Sequence, residues 1–217
     1  SKVIDLDNYI DYTQIKNLIN DNNKIGTGKE VNVYLYGENV IKIFHQKRKS
    51  PFKRISNDGL IKLSNMDLKI FNKPIHIIIN NNDIVGYTEK YLKEQKINYD
   101  FIDFDELKKE IYILSQNGFC LNDIFYNYIF CDNYFYFTDL TSYTYIDTKV
   151  EFLKNKFYEK NINLVNQFLV GLFEFNAFRK ENSNEYTKIY LANEFCNNYL
   201  SNMYYGDFKK NDDKKIR

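Results

Sequence analysis

Residues 25–44, IGTGKEVNVYLYGENVIKIF, decide how the chain is read. Val31 to Tyr36 and Val40 to Phe44 are apolar, β-branched and aromatic runs separated by Gly37-Glu38-Asn39. That pattern predicts a strand, a tight turn and a second strand. Just ahead, Gly26 and Gly28 carry no Cβ, so the backbone there is free to take positive φ and to approach a ligand closely. Lys42 lies in the middle of the second run, and its neighbours Ile41 and Ile43 point to the opposite face. An ammonium group inside an apolar strand requires an anion.

Gly26-x-Gly28 followed by Val33-Tyr34 and then Val40-Ile41-Lys42-Ile43-Phe44 resembles the glycine-rich loop and strand lysine of the protein-kinase superfamily. There the loop covers the phosphates of ATP and the lysine pairs with them. Within that superfamily, Gly26-Thr27-Gly28-Lys29-Glu30-Val31-Asn32-Val33-Tyr34 is most similar to the RIO kinases, whose loop reads S-T-G-K-E-A-N-V-Y. Val31 stands where the general pattern has its third glycine, which stiffens the loop. The resemblance implies nucleotide contacts from Ile25, Gly26, Thr27, Gly28, Lys29, Val33 and Lys42. The alternative for the same residues is an ordinary hairpin with an outward lysine.

A chain of 217 residues accommodates one two-lobed domain or two small ones. Lys and Arg number 30 against 29 Asp and Glu, so no global field argues for nucleic acid or an anionic membrane. The abundance of Tyr, Phe, Asn, Lys and Ile is the bias of an AT-rich genome, and much of the surface polarity follows from it. Cys120, Cys131 and Cys196 have neither metal-ligand spacing nor an even count, which favours a reducing compartment over a disulfide framework. No apolar run approaches the roughly 20 residues of a membrane span, and SKVIDLDNYIDY has no leader pattern. A cytoplasmic protein is expected, with export as a bacterial effector by a leaderless route the alternative.

Residues 5–20 read as a helix on Ile10, Ile15, Leu18 and Ile19, packed on the first sheet. The basic run HQKRKSPFKR is expected to be a solvated loop, and residues 55–66 a helix with Leu60, Ile61 and Leu63 inward. In kinases that helix supplies the glutamate that pairs with the strand lysine. Here no glutamate occurs between Phe44 and Thr88, and Asp58 is the nearest substitute. Ile75 to Ile79 and Ile84 to Leu92, joined by an Asn-rich turn, complete a small antiparallel sheet, five-stranded by the resemblance. Its last strand resembles the run into the hinge that holds adenine, with Thr88 as gatekeeper and Glu89 and Tyr91 at the hinge.

Residues 93–103 form a polar linker, after which 105–117 reads as a helix capped by Asp103 or Asp105. It delivers the chain to Gly118-Phe119-Cys120-Leu121-Asn122-Asp123-Ile124, which resembles the kinase catalytic segment with Leu121-Asn122 in place of His-Arg. Asp123 takes the slot of the catalytic base, since a carboxylate accepts a hydroxyl proton and an amide does not. By the same resemblance the metal-binding amide falls at the position of Tyr128, and the available one is Asn127, one residue early; either the loop is one residue shorter, or Asn122 occupies the base slot and the enzyme is impaired. Two short strands, Tyr128 to Phe130 and Tyr134 to Thr138, lead to Asp139-Leu140-Thr141-Ser142, closer to the D-V-S-Q of RIO kinases than to D-F-G. By resemblance Asp139 chelates magnesium. Asn161 to Phe175 and Glu185 to Met203 read as helices, and 208–217 as a disordered tail.

The expected fold is therefore α+β, a bilobal protein-kinase-like fold. Residues 1–92 make a sheet-bearing N-lobe and 93–207 a reduced helical C-lobe. The implied activity is transfer of the ATP γ-phosphoryl to a protein Ser or Thr hydroxyl with Mg2+, Lys42 and Asp123 acting and Asp139 with Asn127 on the metal. The expected partners are ATP and a protein substrate or regulatory protein, with no membrane and no specific nucleic acid. A pseudokinase that binds nucleotide without transfer is the alternative, and a small-molecule kinase of the aminoglycoside-phosphotransferase type a further one.

Overall fold

The computed structural model describes residues 8–46, 54–96 and 102–179, with the backbone alone for 173–179. The second predicted C-terminal helix, the tail, Cys196 and the centres of the basic run and of the linker lie outside these residues. The protein is of mixed α and β structure and divides into two compact units, one of residues 1–102 with 127–145, the other of 103–126 with 146–217. The segment 127–145, expected with the helical part, thus belongs to the sheet unit.

In the sheet unit the strands are β1 (Tyr9–Asp11), β2 (Lys24–Thr27), β3 (Val31–Tyr36), β4 (Asn39–Phe44), β5 (His76–Asn80) and β6 (Asp83–Lys90). They form one six-stranded sheet in the order β1-β5-β6-β4-β3-β2. The expected five strands gain β1, which runs parallel to β5 with Ile10 opposite Ile78. The helix expected over 5–20 is accordingly reduced to α1 (Tyr12–Ile15) and one 3-10 turn, Lys16–Leu18. Asp11 ends the strand and caps α1, its carboxylate accepting from the Thr13 N–H at 2.9 Å. Asn8 ties this entry to the body through bonds to the Ser64 and Ile75 carbonyls.

Strand alternation gives the sheet two faces. Tyr34 pairs with Ile41, so both point one way, where they join Ile10, Ile15 and Ile78 in a buried cluster flanked by Leu18, Ile19 and Ile43. Full burial of Ile41 or Ile78 contributes about 1.5–3 kcal/mol each. The opposite face carries Val31, Val33, Val40 and Lys42. After β4 comes α2 (Asn57–Ser64), whose N-cap Ser56 accepts from the Gly59 N–H and whose Leu60 and Leu63 are buried. A hairpin of Tyr128–Cys131 and Tyr134–Phe137 completes the unit. Phe137 donates its N–H to Ile70 O and accepts from Asn72 N–H, and its ring stacks on Phe71.

The second unit is built on α3 (Phe104–Gln116) and α4 (Glu151–Arg179). Asp103 is the N-cap of α3 and accepts from the Glu106 N–H, while Leu107, Ile111 and Leu114 fall on its buried face. Helix α4 begins ten residues before the predicted Asn161 and buries Tyr158, Ile162, Val165 and Leu169. The ring of Tyr158 meets Tyr112 edge-on at 5.3 Å. No helix among the described residues is long and apolar enough to cross a membrane.

Candidate functional site

Pairing of β4 with β6 puts Lys42 opposite Tyr87, Ile41 opposite Thr88 and Val40 opposite Glu89. Side chains two apart share a face, so Lys42, Tyr87 and Glu89 point to one side and Thr88 to the other. Lys42 is 9% exposed and Glu89 5%. The Lys42 Nζ stands 2.5 Å from Glu89 Oε1 and 3.3 Å from Asp139 Oδ1. Glu89 is enclosed with the lysine, whereas the Asp139 side chain is 50% exposed. One sheltered carboxylate therefore holds the ammonium, and a second presents its remaining acceptor capacity to solvent.

Burial opposes charge on Lys42, but Glu89, Tyr87 and Asp139 outweigh it and hold the ammonium well above the ordinary lysine range. Burial lifts the Glu89 carboxyl against the pull of Lys42. The Tyr87 phenol, hydrogen-bonded to Thr141, is raised chiefly by burial, as is that of Tyr143. Lys42, Tyr87 and Tyr143 thus hold their protons more tightly folded than unfolded. As pH rises past the ordinary tyrosine value of 10.0 and lysine value of 10.5, the unfolded chain releases these protons first, and stability present below that range is lost above it. Denaturant midpoints measured from about pH 8 to about pH 11 should hold level and then fall, less steeply in Tyr87→Phe. An unchanged slope in that variant would count against the assignment.

Asp139 follows the second strand of the hairpin and opens a 3-10 turn, Leu140–Ser142, with its carbonyl accepting from the Ser142 N–H and hydroxyl. Thr138 donates its N–H to Asn127 O at 2.9 Å, extending the pairing of Tyr128 with Phe137. The hairpin therefore brings Asn127 across from Thr138, beside Asp139. Among the described residues no group of three or more His, Cys, Asp or Glu could hold a metal by itself. An acid and an amide are oxygen donors of the type Mg2+ takes, one or two from the protein along with waters and phosphate oxygens.

Six described residues other than glycine have positive φ: Asn81, Asn82, Asp123, Asp132, Asn133 and Asp139. Asn81-Asn82 and Asp132-Asn133 are the central pairs of two-residue hairpin turns, which require that geometry. Asp123 and Asp139 stand outside such hairpin turns, and both have φ of 54°. Asp is among the residues that tolerate this region: Asp123 lies in a bend just before a turn at 124–125, and Asp139 leads into the 3-10 turn Leu140–Ser142. Asp123 belongs to the second unit. Two residues before it, the Leu121 N–H is held at 2.9 Å by Asn161 Oδ1, and Asn161 Nδ2 bonds Ser115 Oγ and Phe119 O. Nothing in the sequence marked Asn161, which reads as one polar residue of an apolar helix.

Several expected roles change. Lys42 pairs with Glu89 and Asp139, both off the helix that was to supply its partner. Thr88, expected as gatekeeper, faces away from Lys42, fully buried, with its hydroxyl accepting from the His76 N–H at 3.1 Å. Glu89, expected at the adenine hinge, is inside the sheet. The Tyr91 N–H, also expected there, is taken by Glu38 O at 3.1 Å, because β6 stays paired to its end. In the loop, neither Gly26 nor Gly28 adopts positive φ. The Gly28 N–H donates to Val31 O and its carbonyl accepts from the His45 ring, so those groups close a turn. Thr27 bonds Asn32, Ile25 and Lys29 are exposed, and Val33 lies on the Lys42 face.

No protein-family model matches the sequence, and no curated protein matches it. Among solved structures the chain is similar to the Legionella pneumophila Lpg2603 kinase bound to IP6, at 14% identity, with 68% of this chain and 71% of that chain covered and a TM-score of 0.31.

Proposed function

We propose that the chain is an ATP-dependent phosphotransferase of bilobal kinase-like design, acting as a minimal atypical Ser/Thr protein kinase. The observation that carries this reading is the Lys42 ammonium shared between buried Glu89 and half-exposed Asp139. It joins a lysine and an acid 97 positions apart in the chain, each occurring in a motif that resembles the kinase pattern. Lys42 is suited to the nucleotide phosphates, and Asp139 with Asn127 to Mg2+. The metal would neutralise charge developing on the phosphates. Asp123 is suited to accept the hydroxyl proton of a protein Ser or Thr.

A second reading, a nucleotide-binding module without transfer, draws support from one observation: the Gly28 amide is already engaged within its own loop, which leaves the loop fewer donors for phosphate. Incubation with labelled ATP, Mg2+ and a generic protein acceptor separates the two. Transfer that falls about 10²- to 10⁴-fold in Asp123→Ala, and also falls in Asp139→Ala, is the expected result. Transfer unaffected by either change would contradict the proposal, and MgATP binding without transfer would favour the second reading.

A further inference from the structure

A lysine that holds phosphate must itself be held, and the kinase pattern gives that task to a glutamate on the helix after its strand. No glutamate lies between Phe44 and Thr88. Strand register supplies one from elsewhere. Glu89 is the diagonal neighbour of Lys42 across the β4–β6 ladder, at the roughly 7–8 Å backbone separation that two long side chains can bridge. The two groups meet at 2.5 Å, both buried. Glu89 cannot easily move: its backbone pairs with Val40, the preceding Thr88 is bonded to His76, and the following Lys90 accepts from Asn72 and reaches the Tyr136 hydroxyl.

We infer that Glu89 is the positioning residue for Lys42, acting from the sheet in place of a helix glutamate; the inference rests on the phosphotransferase reading. Because both groups belong to one antiparallel ladder, the lysine is set as soon as the sheet forms. No movement of α2 is needed to complete it. Asp139, more exposed and farther from the ammonium, can turn toward a cation while Glu89 retains the lysine.

One test needs no nucleotide. Lys42→Met strands the Glu89 carboxylate in the interior, so adding Glu89→Gln should raise the melting temperature of Lys42→Met, and adding Asp58→Asn should not. A double variant with Glu89→Gln that melts no higher than Lys42→Met, or rescue by Asp58→Asn, overturns the inference. A second test reads transfer. Glu89→Gln keeps the side-chain shape and an oxygen for the lysine, and leaves Asp139 as the anion beside the ammonium. It should lower kcat about 10²-fold, the scale of a small misplacement of a reacting group, with the Kd for MgATP changed far less and Glu89→Asp partly restoring the rate. Equal losses in Glu89→Gln and Asp58→Asn overturn it. If the wild-type chain binds no MgATP, the phosphotransferase reading fails, while the melting series still decides the partner of Lys42.

Discussion

Gly86→Ala should lower the melting temperature by about 6 to 12 °C, the equivalent of about 3 kcal/mol in a chain of this size. A Cβ built on Gly86 would overlap the Lys42 carbonyl oxygen, and would stand 3.1 Å from both the Ile43 Cα and its Cδ1. The first two are backbone atoms of β4, so no rotamer change relieves the clash. Gly86 pairs with Ile43 on one side and Ile78 on the other, and β6 has no free direction in which to shift. Whatever displacement occurs falls on the backbone of Lys42, so the lysine loses its register with Glu89 as the fold weakens. Gly26→Ala is the control, since a Cβ there meets nothing within 4 Å. A Gly86→Ala protein that melts within about 2 °C of wild type would show that β4 and β6 are not this close.

Asn161→Ala should cost about 4 kcal/mol. Asn161 is 0% exposed, and its amide serves three partners, the Leu121 N–H, the Phe119 carbonyl and the Ser115 hydroxyl, each at 2.9 Å. Ser115 keeps its bond to Ile111 O at 2.7 Å, but the two main-chain groups lose the amide that serves them. Each buried polar group left unsatisfied costs about 1–3 kcal/mol. Asn161→Asp retains the acceptor for Leu121 and loses the donors, so its loss should be intermediate. Denaturant unfolding measures both, and exchange of the Leu121 amide should quicken most. Because Leu121 lies two residues before Asp123, the loop should loosen where the candidate base is carried. A neutral Asn161→Ala would mean that water replaces the amide and that the loop is held by other contacts.

The sequence exposed the elements whose periodicity is strong and whose partners are adjacent in the chain. The β3–β4 hairpin, β5 with β6, and the 128–137 hairpin follow from apolar runs around turn residues, and α3 from its cap and its Leu107-Ile111-Leu114 stripe. Strand β1 was illegible because three residues on a sheet edge carry no period, and Ile10 and Ile15 fit a helix equally well. Thr88 faces away from Lys42 because every side chain of β6 takes its face from the β4–β6 register, where an error of one residue exchanges the faces; the Tyr91 N–H is engaged for a different reason, the pairing with Glu38 O at the end of the same strand. Glu89 became visible as a partner of Lys42 only through long-range β4–β6 pairing. Lys42 could be singled out because a charged residue within an apolar strand is conspicuous, whereas Asp139, by itself an ordinary turn former after a strand, stood out only through the motif it resembles and its spacing after Asp123. Asn161 could not, since a buried asparagine looks the same as a solvated one until its three partners are seen.

Whether Lys42 and Asp139 serve a magnesium nucleotide is tested most directly by melting the chain with and without MgATP. At about a hundredfold excess over Kd, binding should stabilise the fold by about 2.7 kcal/mol, or about 5 to 10 °C, with the effect removed by EDTA and weakened in Asp139→Asn. No shift at saturating MgATP, or a shift of the same size in wild type and Asp139→Asn, would contradict it.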